Sequence, residues 1–99
     1  MQIKEKSERD VITLRIAGNL DTNSSAELQE VLLKSFRNAN HVILDVKECN
    51  YVSSAGLRVL LMGQKAAIAK NKSMKLIHVS EIFMSVLEIS GLVDVLTIE

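Results

Sequence analysis

Alternating apolar and polar residues at the start of the chain predict a β-hairpin. The segment VITLRIA, residues 11–17, is rich in β-branched residues and alternates as a half-buried strand does. QIKEKSE, residues 2–8, alternates more weakly and can pair with it through a turn at Arg9 and Asp10. We expect Gly18 to end the second strand and the turn-forming residues GNLDTNSS to lead into a helix.

Helical spacing then predicts two longer helices. Ser24, followed by Glu27 three residues later, has the form of a capping box and marks the first helix start. This helix runs to about Arg37, and its apolar face comprises Ala26, Leu28, Val31, Leu32 and Phe36. A second helix is predicted from Ser53 or Ser54 to about Lys70, with an apolar side that comprises Leu57, Leu60, Leu61 and Ile68.

Short apolar runs predict the remaining strands. HVILDV, residues 41–46, and MKLIHV, residues 74–79, are typical of strands covered by other elements. Ser80 and Glu81 can begin a short helix that Gly91 ends, and DVLTIE, residues 94–99, is predicted as a last strand. The order β-β-α-β-α-β-α-β indicates one α/β domain over residues 1–99, with a mixed central sheet and helices packed on it, because parallel neighbours need helical crossovers.

Composition and charge narrow the possible functions. Hydrophobic residues make up 47% of the chain and aromatic ones 3%, so the core must be aliphatic. Twelve basic residues balance twelve acidic ones without a long block of either sign, so we expect neither nucleic-acid binding nor membrane insertion. The start lacks a signal-peptide pattern, which predicts a cytoplasmic protein. Cys49 is the only cysteine, which excludes an internal disulfide and a thiolate metal cluster.

The segment VSSAG, residues 52–56, raises the possibility of a serine hydrolase. It supplies the Ser-x-Gly half of a nucleophile elbow around Ser54, but Val52 stands where the first glycine would allow the strained turn. His41 and His78 are the only histidines that could act as a base, and both lie in apolar strand segments. No phosphate-binding loop or calcium loop is present, so we expect no bound cofactor or metal.

The paired serines allow two interpretations. A serine at a helix start is favoured because its oxygen accepts a hydrogen bond from an unpaired backbone N–H, and capping explains one of the two serines. The same helix start, with its free N–H groups and positive dipole end, can hold a phosphate placed on a serine. Gly56 would let the backbone of another protein come close, or let the helix pack tightly.

The order of several motifs resembles one family. GNLD after a strand, a helix, the strand HVILDV, YVSSAGLRVLL entering a second helix, and SGLVDVLTIE together resemble the STAS domain of bacterial anti-sigma-factor antagonists. The resemblance covers essentially all 99 residues. Many members have Asp-Ser-Ser/Thr-Gly where this chain has SSAG, so the phosphorylated serine of the family falls on Ser54, Ser53 replaces the aspartate, and Ala55 replaces the second hydroxyl residue.

The resemblance implies a phosphorylation-switched binding module without catalytic residues. The unphosphorylated form would bind a serine kinase that is also the anti-sigma factor or switch partner and so release its client, and phosphorylation at Ser54 would break this complex. A PP2C-type phosphatase would reset the switch, and the kinase would use ATP and magnesium. The implied contact surface comprises Asp21, Thr22, Ser53, Gly56, Leu57 and Arg58.

Two alternatives stay open. The first is a STAS subunit that serves a transporter or sensory complex and is never phosphorylated. The second, from a different class, is a small serine hydrolase built on Ser54.

Overall fold

The alternating segments form a four-stranded sheet in a computed structural model that describes residues 1–99. The strands, in sheet order, are β1 (Gln2–Glu8), β2 (Val11–Ala17), β3 (His41–Glu48) and β4 (Ser73–Ile77). β1 and β2 form the predicted antiparallel hairpin, whereas β2 with β3 and β3 with β4 are parallel pairs. The sheet is therefore mixed, as the order of elements predicted.

Three helices connect and follow the parallel strands. They are α1 (Thr22–Asn38), α2 (Ser54–Ala69) and α3 (Glu81–Ser90), and a 3₁₀ turn (Leu92–Asp94) follows α3. Burial alternates along β2: Ile12, Leu14 and Ile16 are buried, whereas the residues between them are more accessible. The buried residues of the sheet share one hydrophobic core with those of the helices. The domain thus has two layers, with one covered and one open face of the sheet.

The last predicted strand is wrong in extent. Leu92–Asp94 form the 3₁₀ turn, and only Ile98 pairs with the sheet, in a single parallel bridge to Leu76. The Leu76 N–H donates to the Thr97 carbonyl oxygen at 2.9 Å, and the Glu99 N–H donates to the Leu76 carbonyl oxygen at 2.9 Å. The Val95 and Leu96 N–H groups both donate to the Leu92 carbonyl oxygen, so the turned backbone reaches Leu96 and only residues 97–99 remain beside β4.

β4 also ends earlier than predicted. It stops at Ile77 because His78 adopts a left-handed backbone conformation (φ 59°), which no strand continues. The side chain of His78 is exposed, and its Nδ1 lies 2.9 Å from Asp45 Oδ1 at the end of β3.

The buried face of α2 differs from the predicted one. Leu60 is buried as expected and Leu57 and Leu61 are half-buried, but Ile68 is 68% exposed. The face that meets the core comprises Gly56, Val59, Leu60, Gly63, Gln64 and Ala67. Because three of these residues are glycine or alanine, α2 approaches its neighbours closely. The apolar face of α1 is confirmed at Leu28, Leu32 and Phe36, whereas Ala26 is exposed.

The two glycines of α2 are packed against different kinds of side chain. A Cβ atom added at Gly56 would lie 2.8 Å from both Leu20 Cγ and Val52 Cγ2. A Cβ atom added at Gly63 would lie 2.9 Å from Met74 Sδ and 3.1 Å from Leu32 Cδ1. The Met74 thioether is the far end of a flexible side chain and can move, whereas the branched carbons beside Gly56 are held close to the backbone.

We therefore expect the substitutions Gly56→Ala and Gly63→Ala to differ in stability. Overpacking at Gly56 should lower the free energy of unfolding by about 1–3 kcal/mol. At Gly63 the shift of Met74 should be offset by the better helix propensity of alanine, which is worth up to about 1 kcal/mol. Urea unfolding of the two variants provides the measurement, and a Gly56→Ala protein as stable as the parent would contradict this packing.

Candidate functional site

A parallel bridge joins the loops that follow β2 and β3. The Leu20 N–H donates to the Tyr51 carbonyl oxygen at 2.9 Å, and the Ser53 N–H donates to the Leu20 carbonyl oxygen at 2.8 Å. Leu20 and Val52, the paired residues, are both buried. The residue after each of them is the N-cap of a helix, so α1 and α2 begin side by side at the same edge of the sheet.

Asp21 caps α1 through a reciprocal pair of hydrogen bonds. The Ser24 N–H donates to Asp21 Oδ1 at 2.9 Å, and the Asp21 N–H donates to Ser24 Oγ at 2.8 Å. The prediction that Ser24 is the cap is therefore wrong, because Ser24 is the third residue of the helix and the partner in a capping box. The backbone and then the side-chain hydrogen bond from Ser24 hold the pKa of the Asp21 carboxyl below its ordinary value.

Ser53 and Ser54 have different surroundings at the start of α2. Ser53 Oγ accepts a hydrogen bond from the Gly56 N–H at 3.2 Å, and the Ser53 carbonyl oxygen accepts one from the Leu57 N–H at 2.9 Å. Ser53 is thus confirmed as the cap. Ser54 is the first residue of the helix, its side chain is exposed, and its hydroxyl makes no hydrogen bond within the chain.

The electrostatic environment of Ser54 suits an anion. The first turn of α2 contains no acidic residue, and the positive end of the helix dipole lies there. Arg58 is exposed, forms no ion pair, and lies four residues after Ser54, on the same side of the helix. An anion at Ser54 would therefore meet the positive end of the helix dipole and share one side of the helix with Arg58.

A shallow groove between α1 and α2 lies next to Ser54. Its lining residues come from both helices and are Thr22, Ser25, Ala26, Gln29, Ala55, Arg58, Val59 and Met62. Within each helix these positions are three or four residues apart, so they lie on one face. This spacing could have identified them from the sequence. Ala55 therefore lines the surface even though it carries no hydroxyl.

The structure brings the predicted contact residues to this edge and buries one of them. Asp21, Thr22 and Arg58 are exposed, and Ser53 and Leu57 are half-buried. Gly56 is buried and packs closely against Leu20 and Val52. The close approach that Gly56 allows within the chain is the second of the two interpretations that the sequence left open, and its part in the contact surface stays a prediction.

Neither of the two histidines is hydrogen-bonded to Ser54. His41 Nδ1 lies 2.7 Å from Ser73 Oγ, and His78 pairs with Asp45. Burial acts to raise the pKa of Asp45, but the hydrogen bonds from His78 and the Lys47 N–H outweigh it and leave the pKa lowered. Ser54 has no hydrogen-bonded base, which a serine nucleophile requires.

Other possible functions would depend on the single cysteine, on a cluster of metal ligands or on a membrane-spanning helix. Cys49 is buried, and this burial raises the pKa of its thiol. No group of three or more His, Cys, Asp or Glu side chains could hold a metal ion. None of the helices has the length and apolar character needed to cross a membrane.

The chain thus combines a two-layer α/β domain with an exposed hydroxyl at a helix start and an adjoining interhelical groove. The family model described as "Mlab, STAS domain" matches residues 3–97. The chain therefore belongs to the STAS domain family.

Curated relatives and solved structures agree with this membership. The chain is 28% identical to an anti-sigma F factor antagonist of Paenibacillus polymyxa, covering 99% of this chain and 86% of the relative. It is also 28% identical to an anti-sigma-B factor antagonist of Bacillus subtilis (strain 168), covering 99% of this chain and 90% of the relative.

The anti-sigma factor antagonist SpoIIAA in its unphosphorylated form has a similar fold, with a TM-score of 0.83, 17% identity, and coverage of 99% of this chain and 88% of that one. The phosphorylated form of the Bacillus protein SpoIIAA gives a TM-score of 0.77 at 17% identity, covering 99% of this chain and 91% of that one.

The cap of α1 leads to a prediction about acid stability. The pKa of Asp21 is lower in the folded chain than its ordinary value of 3.8, so its carboxylate stabilises the fold above that pH and loses this contribution as the pH falls through the lowered pKa. Asp21→Asn keeps a good cap but removes the titration. Urea unfolding at a series of pH values from 5 to below 3 should show a smaller acid-induced loss for Asp21→Asn than for the parent.

Glu27→Gln, on the exposed side of the same helix, is the matched control and should follow the parent. Equal acid-induced losses in Asp21→Asn and the parent would contradict the assignment of Asp21 as the cap.

Proposed function

We propose that this chain is a partner-switching module whose switch is phosphorylation of Ser54. The observation that carries the proposal is the exposed Ser54 hydroxyl, which is free of internal hydrogen bonds although the neighbouring Ser53 is engaged as the cap. A kinase can reach such a hydroxyl without unfolding the helix. The proposed role is regulatory binding, with no reaction catalysed by the chain itself.

The names of the relatives support this choice. Two are antagonists of anti-sigma factors, and SpoIIAA has been solved in unphosphorylated and phosphorylated forms. The partner that we propose is an anti-sigma or switch protein with serine kinase activity, which uses ATP and magnesium. In its unphosphorylated form the chain would bind this kinase and release the kinase's client, and a PP2C-type phosphatase would restore that form.

The charge of the phosphate provides the mechanism. It adds about −1.5 to −2 charges at neutral pH to a surface where a partner has met a neutral hydroxyl. Repulsion and desolvation then weaken the complex, and a coupling of about 1–3 kcal/mol changes the affinity about five- to 150-fold. Arg58 and the helix dipole stabilise the phosphate within the free chain, so the modified form keeps the same fold.

The surroundings of Ser53 and Ser54 favour a single phosphate acceptor. Ser53 Oγ is occupied by the Gly56 N–H, and phosphate on Ser53 would remove the cap of α2. Ala55 has no hydroxyl. Phosphorylation is therefore directed to Ser54, and Asp21, Thr22, Leu57 and Arg58 are the nearby residues that we propose contact the partner.

Phosphate mapping tests the proposal. We expect the serine kinase encoded beside this chain, with ATP and magnesium, to place one phosphate on Ser54, located by mass spectrometry. Ser54→Ala should accept none, whereas Ser53→Ala should still accept phosphate on Ser54 and serves as the control. Phosphate on no residue would favour a STAS subunit of a transporter or sensory complex, and phosphate on another residue would contradict the site.

Binding measurements test the charge mechanism. Ser54→Ala should bind the kinase as the parent does, because it keeps a small neutral group on the contact surface. Ser54→Asp should bind about five- to 150-fold more weakly. Calorimetry with the purified kinase measures both, and an aspartate variant that binds as tightly as the parent would refute the mechanism. Covalent labelling of Ser54 by a fluorophosphonate would instead support a hydrolase.

A further inference from the structure

The outer side of α3 carries an apolar surface that the fold does not use. Ile82 and Ile89 are 64% and 89% exposed, and Val95, just after the 3₁₀ turn, is 46% exposed. Val86 is half-buried and lies between the two isoleucines at helical spacing, so the three side chains of α3 form one ladder. We call Ile82, Val86 and Ile89 the α3 outer surface.

This surface is separate from the core contact of the same helix. Phe83 and Leu87 face the core and are fully buried. Of the five large hydrophobic side chains that are exposed in the chain, two are Ile82 and Ile89 of the α3 outer surface, and a third, Val95, follows a few residues after α3. Single exposed apolar residues need no explanation, but a ladder of them marks an interaction site.

The charged residues of the segment that carries the α3 outer surface are acidic. From Leu76 to Glu99 the chain contains no lysine or arginine, whereas Glu81, Glu88 and Asp94 are exposed and form no ion pair. Glu88 lies in the last turn of α3, where the helix dipole disfavours a negative charge, and no basic residue compensates it there. Glu88 therefore adds no stability to the end of the helix, and its carboxylate is unpaired within the chain.

The hydrophobicity and negative charge of the α3 outer surface indicate what kind of partner it binds. An apolar ladder with the acidic residues Glu81 and Glu88 along one flank repels a second copy of itself and an anionic membrane, and it attracts an apolar stripe with basic residues beside it. We propose that the α3 outer surface binds a basic, amphipathic helical segment of a partner protein. Because Ser54 is on α2, this site is separate from the proposed switch, and the chain can hold a second protein there in either phosphorylation state.

A designed peptide tests this proposal. The probe is an amphipathic helix of about 18 residues, five turns, made of leucine and lysine, and its matched control replaces every lysine with glutamate. Titrated into the ¹⁵N-labelled chain, the lysine peptide should shift the amide resonances of residues 81–95 and leave those of residues 54–58 in place. The glutamate peptide should shift neither set.

Two pairs of variants locate the contact. Ile89→Ser should weaken binding of the lysine peptide about tenfold or more, because a largely exposed isoleucine is then no longer buried on binding. Ile68→Ser, which removes an isoleucine of similar exposure from α2, should leave the affinity unchanged. Glu88→Gln should weaken binding and reduce its salt dependence, whereas Glu27→Gln on α1 should not.

Several outcomes would overturn the proposal. They are shifts centred on α2, equal binding of the glutamate peptide, and an Ile89→Ser affinity equal to that of the parent. Ultracentrifugation that shows a dimer of the parent dissociated by Ile89→Ser would assign the surface to a second copy instead. Binding of the parent, but not of Ile89→Ser, to phosphatidylcholine vesicles would assign it to a lipid surface.

Discussion

Two backbone hydrogen bonds between Leu20 and the segment Tyr51–Ser53 hold the loops after β2 and β3 together. Each bond contributes about 1 kcal/mol, and the burial of Leu20 and Val52 beneath α2 adds to them. Gly56 makes this arrangement possible, because any larger residue would collide with both paired side chains. Without this bridge the starts of α1 and α2 would be independent loops at the edge of the sheet. With it, they form one fixed surface.

On this fixed surface the adjacent residues Ser53 and Ser54 have different roles. Ser53 satisfies the helix end, which leaves Ser54 with a hydroxyl that no internal contact requires. A phosphate there changes the charge of the surface while the hydrogen bonds beneath it stay in place. Asp21 and Arg58 lie at the same edge with opposite charges, so the partner that we propose would meet a defined pattern of charge and shape.

The spacing of apolar residues and the positions of turn-forming residues are sufficient to predict the order of elements and the helix start at Ser53 and Ser54. These signals fail where packing between the elements determines which residues are buried and how long a strand is. A pattern that favours large residues places Ile68 in the core, whereas α2 in fact buries small residues such as Gly63 that let other side chains approach. Ile98 was assigned to a full strand because local sequence does not reveal that a 3₁₀ turn shortens it. For Gly56 the sequence left two interpretations, and only the position of Leu20 distinguishes them.

The central claim is that phosphate changes the surface and leaves the bridge intact. Hydrogen exchange at the Leu20 and Ser53 amides reports on the two hydrogen bonds of the bridge directly. The account predicts equal protection of both amides in the unmodified chain and in the chain phosphorylated on Ser54, with changes in chemical shift confined to the start of α2. Loss of protection at Leu20 and Ser53 on phosphorylation would show that the switch works by opening the two loops, and would contradict the account.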